Sequence, residues 1–318
     1  MIIAIALWLV IGGAVALYVG WAGAAIAGGA NPWKYVMGAP LAYAAAMLSV
    51  TSSWFALAWF FRAPRPPAAQ IGFAASARLF WSELRAIARS GPRMALFRVL
   101  MRDPAPAPAA APVLLLHGVL NNSGVWVGLR EALVARGIGP VYTLSCGPPL
   151  ASIEDFADQV AAKVDAILRA TGASRVAIVG HSMGGLVARA YLRRFGAARI
   201  TLVMTLGTPH HGSVHAWLFP GICLGQLRPG NAWLAELNRH QGASPGARLV
   251  SVWSWHDSMV APQTSSRLAG AENIELIGIG HNALLGDPGV YALVAAELAR
   301  VAQESARVKV AAAADAAR

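Results

Sequence analysis

Arg175-Val-Ala-Ile-Val-Gly-His-Ser-Met-Gly-Gly-Leu-Val-Ala-Arg-Ala-Tyr-Leu192 reads as strand, tight turn and helix in immediate succession. Arg175 to Val179 is an apolar run of strand length, and Leu186 to Phe195 carries a helical pattern. Between them, Gly180 and Gly184 stand two residues before and two after Ser182. Small residues there let the chain reverse sharply, so the hydroxyl stands out from the sheet edge at a helix N-terminus. The pentapeptide alone is a weak signal; its strand–turn–helix setting makes it specific. Gly180 and Gly184 are therefore read as a nucleophile elbow and Ser182 as its nucleophile.

Outward from this point the same alternation repeats. Val113 to Leu116, Val141 to Leu144, Ile200 to Leu206, Leu249 to Trp255 and Ile274 to Ile279 read as further strands. Val125 to Ala135 reads as a helix closing at Gly137, and Val290 to Val301 as the closing helix of the domain. Ser152 and Asp155 have the spacing of a helix start, with a stop at Thr171-Gly172. Strands alternating with helices imply an α/β domain with a mostly parallel sheet covered on both faces. Chemistry in such a sheet gathers at the carboxyl ends of the strands.

The N-terminal part is different in composition. The 318-residue chain is 56% hydrophobic and 13% charged, and much of the apolar excess lies in its first 61 residues. Met1 to Pro32 has no charged side chain, and neither has Tyr35 to Phe61. A membrane helix needs roughly 20 apolar residues, so two spans separated by Asn31-Pro32-Trp33-Lys34 form a hairpin. The run is too long for a secretory signal, and no Lys or Arg precedes it. Gly12, Ala16, Gly20, Ala24 and Gly28 share one helix face, either for close helix packing or simply because the segment is rich in Ala and Gly. Arg62, Arg65, Arg78, Arg85, Arg89, Arg93, Arg98 and Arg102 crowd the region after the second span, against Lys34 alone in the loop. That bias places the domain on the cytoplasmic side of the inner membrane.

The net charge of +11 invites a nucleic-acid reading. It is set aside because these arginines alternate with Leu79, Phe80, Trp81, Leu84 and Ile87. The pattern suits a basic amphipathic helix on an anionic membrane surface, or a solvated helix packed on the following domain. Pro104 to Pro112 is a stiff linker. The expected organisation is a hairpin over residues 1–62, a basic segment and linker over 63–112, and a catalytic domain over 113–318.

A serine needs a base, and the base an acid to orient it. Of eight histidines, His281 follows a strand near the C-terminus. His181 adjoins Ser182 and points elsewhere, His117 suits loop shaping, His210, His211 and His215 fall in a flap, His240 in a polar loop, and His256 beside a better acid. That acid is Asp257, directly after a strand; Glu236, Glu272 and Glu275 are poorly placed. The N–H groups of Met183 and of Val119, in the Gly118 loop, are the expected oxyanion donors. Val214 to Leu227, apolar and broken by Pro and Gly, is either a lid or acyl-chain wall, or an ordinary packed helix pair. Cys146 and Cys223 make no disulfide framework.

Leu115-Leu-His-Gly118, Gly180-His-Ser-Met-Gly-Gly185, Gly207-Thr-Pro-His-His-Gly212, Arg228-Pro-Gly-Asn-Ala-Trp-Leu-Ala-Glu-Leu-Asn238, His256-Asp-Ser-Met-Val-Ala-Pro262 and Gly280-His-Asn-Ala-Leu-Leu285 occur in this order. Together they resemble bacterial triacylglycerol lipases and esterases of the α/β-hydrolase superfamily, roughly from Pro112 to Val301. The resemblance implies a Ser182–Asp257–His281 triad and hydrolysis of lipid-like carboxylic esters through an acyl-enzyme, with no cofactor. Some relatives bind a structural calcium, but no carboxylate pair here supports a metal site. Secreted lipases of this type lack the membrane hairpin. An acyltransferase or thioesterase using the same triad is the enzymatic alternative, and a catalytically silent membrane scaffold the non-enzymatic one.

Overall fold

The computed structural model describes residues 2–239 and 246–316; His240 and the outermost ends of the expected 1–62 and 113–318 segments lie outside them. The helices are α1 (Ile2–Ala27), α2 (Pro32–Phe60), α3 (Phe73–Ala95), α4 (Phe97–Leu100), α5 (Val127–Val134), α6 (Ile153–Thr171), α7 (Met183–Phe195), α8 (Ile222–Gln226), α9 (Ala232–Arg239) and α10 (Pro288–Ala316). The strands are β1 (Val113–Leu116), β2 (Val141–Leu144), β3 (Val176–His181), β4 (Ile200–Leu206), β5 (Arg248–Ser254) and β6 (Glu272–Leu276). They form one sheet, ordered β2-β1-β3-β4-β5-β6, with every pairing parallel.

Successive side chains of a strand face opposite sides, so a sheet covered on both faces buries every position. In β1, Leu114 and Leu116 join a core with α6 and α7, while Val113 and Leu115 join a second core with α5 and α10. In β3, Ile178 and Val179 divide in the same way. The Ser152 start of α6 is a capping box with Asp155, and Gly172, at φ 66°, ends the helix.

Several boundaries move. β3 continues through His181, so the strand delivers the chain directly to Ser182, and α7 begins at Met183 rather than Leu186. β5 lies one residue earlier than expected. The last strand is Glu272–Leu276, not Ile274 to Ile279. It is an edge strand, so Glu272 is tolerated there and pairs with Arg248. The chain then leaves the sheet at Gly278, whose φ is +75° and whose N–H donates to His256 Nδ1 at 3.1 Å. α10 starts before Val290 and runs past Val301.

Among the described residues, α2 is long and apolar enough to cross a membrane; Gly12–Ala27 of α1 is a shorter apolar helix. At Gly12 and Gly20 of the small-residue row an added Cβ meets nothing within 4 Å. Between α1 and α2, Trp21 stands edge-on to Tyr35 at 4.9 Å.

The linker separates the N-terminal segment from β1 along the chain but not in space. The end of α2 is tied to the domain by Gln263 Nε2 donating to the Ala58 carbonyl at 3.4 Å, and Arg65 Nε donates to the Trp255 carbonyl at 2.9 Å. α3 packs against the loops at the carboxyl edge of the sheet, burying Leu79 and Glu83. Of the two expectations for the basic segment, packing on the domain describes the inner face of α3. Arg78, Arg85 and Arg89 stay exposed on its outer face.

Candidate active site

Ser182 occupies the turn between β3 and α7 at φ 54°, a conformation that L-residues rarely adopt outside sites held by their surroundings. The surroundings here are backbone. A Cβ on Gly180 would stand 2.6 Å from the Gly184 carbonyl carbon, and one on Gly184 would overlap the Leu116 and His117 carbonyl oxygens. A Cβ on Gly118 would meet Ser182 Cβ at 2.9 Å. Ser182 N–H donates to the Leu206 carbonyl at 2.9 Å, and Thr208 Oγ1 donates to the Ser182 carbonyl at 2.8 Å. The spacing of the glycines is thus a steric requirement of crossing β3, α7 and the β1 loop in one place.

On the other side, His281 Nδ1 lies 2.9 Å from Asp257 Oδ2. The carboxylate's second oxygen accepts from the Met259 and Val260 N–H groups at 2.8 and 2.7 Å. An N–H at Nδ1 leaves His281 Nε2 as the proton acceptor. Burial pushes the imidazole pKa down, but the Asp257 charge, the hydrogen bond to it and the Glu83 charge together hold it above the usual histidine value. His181 has more of a part than its sequence position indicated: its Nε2 donates to the His281 carbonyl at 3.1 Å, and the two rings stand 4.6 Å apart.

Ser182 and His281 open on one cavity of about 230 Å³, although the two side chains make no hydrogen bond to each other here. Val119 lines this cavity, and Met183 is the first residue of α7 beside it. The Val214 to Leu227 segment supplies His215, Ala216, Phe219, Leu224 and Leu227 to the wall, while Trp217, Leu218 and Ile222 of the same segment are exposed outside. It is therefore a wall of the cavity. Trp54 of α2 and Ile87 of α3 complete that wall, a contribution from the N-terminal segment that the sequence did not disclose. The Trp54 ring is tilted against His215, with centroids 5.2 Å apart.

His117 and His210 are structural. His117 Nε2 accepts from the Cys146 N–H at 3.0 Å and Nδ1 faces the Gly118 carbonyl; burial lowers its pKa to about 4. His210 is not in a flap: it is fully buried between Arg189 and Thr205. Cys146 and Cys223 are free, and burial pushes their thiols up to about 12 and about 11, so neither competes as a thiolate nucleophile. Glu236 faces Arg239, and Glu275 accepts from Trp255 Nε1 at 2.9 Å. Among the described residues no group of three or more His, Cys, Asp or Glu is placed to hold a metal ion.

The sequence reading missed Glu83. This α3 residue is 1% exposed. Its Oε1 accepts from Ser258 Oγ at 2.6 Å, Asn282 N–H at 3.0 Å and Asn282 Nδ2 at 2.9 Å, and its Oε2 from Ala283 N–H at 2.9 Å. A signal existed: Leu79, Glu83 and Ile87 are spaced by four, so a carboxylate sits in the middle of an apolar helical stripe.

Residues 111–268 match a family described as alpha/beta hydrolase fold. The chain is similar to a triacylglycerol lipase from Pseudarthrobacter phenanthrenivorans, 33% identical over 120 residues, or 33% of this chain and 35% of the relative. A triacylglycerol lipase from Burkholderia plantarii is also 33% identical over 120 residues, 33% of this chain and 31% of the relative. The match thus spans about a third of the length of these curated relatives. Among solved structures, mature Bacillus licheniformis lipase BlEst2 superposes with a TM-score of 0.55 at 20% identity, covering 62% of this chain and 96% of that one. Aspergillus fumigatus lipase B does so with a TM-score of 0.56 at 20% identity, covering 64% and 57%. These two likenesses bear on the fold alone.

Proposed function

Because the chain is an α/β-hydrolase similar to bacterial lipases and esterases, we propose that it is a membrane-anchored serine hydrolase of lipid-like carboxylic esters. One observation carries this reading. A serine on a strained strand-to-helix turn and an Asp257-paired His281 open on the same, largely apolar cavity.

In this reading His281 Nε2 takes the Ser182 proton as Oγ bonds to the ester carbonyl carbon. Asp257, held by two backbone N–H groups, fixes the tautomer and stabilises the imidazolium. The negative charge on the carbonyl oxygen is met by the Met183 N–H, at the positive end of α7, and by the Val119 N–H. The C–O bond breaks as the imidazolium returns the proton to the leaving alkoxide. Water, deprotonated by the same nitrogen, then attacks the acyl carbon, and the bond to Oγ breaks as the imidazolium returns its proton to Ser182, releasing the acid.

Two features support a bilayer location for the substrate. α2 has the length and apolarity of a span, and Trp54 near its end lines the cavity. Arg78, Arg85, Arg89 and Arg93 line an open cavity of about 410 Å³ beside the His281 loop, as a site facing anionic headgroups requires. A two-span hairpin with the catalytic domain on the cytoplasmic side of the inner membrane fits the arginine bias after α2. Labelling of the full chain in detergent with a fluorophosphonate probe tests the chemistry. Wild type takes the label and Ser182→Ala does not; absence of label, or its persistence in the variant, refutes the reading.

A further inference from the structure

Glu83 is set apart by where it comes from. Its four donors belong to residues 175 to 200 positions later in the chain. They lie on two different loops: Ser258 next to Asp257, and Asn282 with Ala283 next to His281. One side chain therefore holds the acid loop to the base loop. Ser258 extends the connection, because its oxygen also accepts from the His281 N–H at 3.4 Å while its hydroxyl donates to Glu83.

The packing leaves no slack at this point. A Cβ on Gly280 would stand 2.8 Å from Glu83 Cδ, so the glycine before His281 admits the carboxyl group against the backbone. A carboxylate accepts at both oxygens and donates at neither, which matches four converging donors. Burying one so completely is unfavourable unless such donors are in place.

We propose that Glu83 is a positioning residue of the hydrolytic reaction, clamping the Asp257 and His281 loops into the register that Ser182 requires. The proposal rests on the Ser182 hydrolase reading. It also makes α3 an integral part of the active site rather than a tether between membrane and enzyme. The groups around His281 are Asp257 from the loop after β5, His181 from β3, His215 from the cavity wall and Glu83 from α3. The Glu83 charge favours the imidazolium, so its removal makes His281 lose its proton at lower pH.

The test is the rate of fluorophosphonate labelling as a function of pH, on the full chain in detergent, with melting temperature as the control for folding. Glu83→Gln keeps the side-chain length but replaces one accepting oxygen with an amide NH2 that faces other donors. The expected result is labelling about 10- to 100-fold slower, the size of effect of a displaced reacting group, with the acid limb moved to lower pH. Glu83→Asp keeps the charge and loses reach, so it slows labelling with the limb at the wild-type position. A folded Glu83→Gln that labels at the wild-type rate, or slowly with an unmoved limb, overturns the proposal. Should Glu83→Gln fail to fold, Ser258→Ala decides: slower labelling of folded protein supports the clamp, and an unchanged rate overturns it. A wild type that takes no label removes the hydrolase reading and this one together, whereas a labelled wild type isolates the outcome for Glu83.

Discussion

The two halves of the site are held by different forces. At the elbow, Ser182 is fixed mainly by crowding, with glycines at 118, 180 and 184 because nothing larger fits, and its own backbone is hydrogen-bonded to Leu206 and Thr208. Across the cavity, Asp257 and His281 are fixed by hydrogen bonds, from the Met259 and Val260 amides and through the Glu83 clamp. Steric constraint is indifferent to pH and charge; a hydrogen-bonded arm responds to both. In the proposed reaction the elbow therefore supplies a rigid nucleophile, and the arm supplies the part of the site that can be tuned.

Removing one group from each half gives the largest expected effects. Ser182→Ala deletes the proposed nucleophile, and kcat falls by about 10⁶-fold. Asp257→Asn leaves the nucleophile in place but favours the wrong His281 tautomer, and kcat falls by about 10⁴-fold. Steady-state hydrolysis of a chromogenic ester measures both. Equal losses would mean that the arm does more than orient the base.

The same contrast explains what could be read from the chain. The elbow was legible because its constraint is local: strand, glycine, serine, glycine and helix fall within a few residues. That Asp257 and His281 would come together was legible because both follow strand ends on one edge of a parallel sheet. The limits of β6 were not, since an edge strand tolerates Glu272 and ends where Gly278 turns away. Glu83 and Trp54 were hidden for a deeper reason. Their roles depend on docking of α2 and α3 onto loops that come far later, and no periodicity encodes that placement. The apolar stripe interrupted at Glu83 was the one local trace.

Acid separates the halves next. His281 is held above the usual histidine value, and it must be neutral to accept a proton. Activity therefore falls first as pH drops, on a limb above the ordinary value of about 6.5. His117, on the elbow side, is lowered to about 4 in the folded chain. The unfolded chain binds that proton from about pH 6.5 downward while the folded chain refuses it. Stability is thus complete above that pH and is lost as pH falls toward 4, by about 3 kcal/mol for this one group. Labelling rate and melting temperature across one buffer series check the order. Unfolding that precedes the loss of activity would break it.

Steric confinement at the elbow predicts a smaller but sharper effect. Gly184→Ala drives a methyl group into the Leu116 and His117 carbonyl oxygens, so β1 and α7 must separate. The expected destabilisation is about 1–3 kcal/mol, read as a lower melting temperature. Gly225→Ala, where an added Cβ meets nothing within 4 Å, leaves the melting temperature at or above wild type.

The smallest effect concerns selectivity, and it asks whether the N-terminal segment shapes the cavity as well as the loops. Trp54 has its ring 5.2 Å from that of His215 and 5.8 Å from that of Phe219, and all three line the cavity into which Ser182 opens. Its carbonyl also accepts from His215 Nε2 at 3.4 Å, which a substitution preserves. Trp54→Ala therefore enlarges an apolar wall without disturbing the polar arm. The ratio of kcat/KM for long over short acyl esters rises by roughly tenfold, the scale on which apolar pockets discriminate chain length. Trp81→Ala, an exposed α3 residue outside the cavity, leaves the ratio unchanged. A ratio that moves equally in both variants would show that α2 acts on the site only through general packing. A shift confined to Trp54 would mean that the helix suited to the bilayer also gauges the acyl chain, so that anchor and substrate pocket are one element.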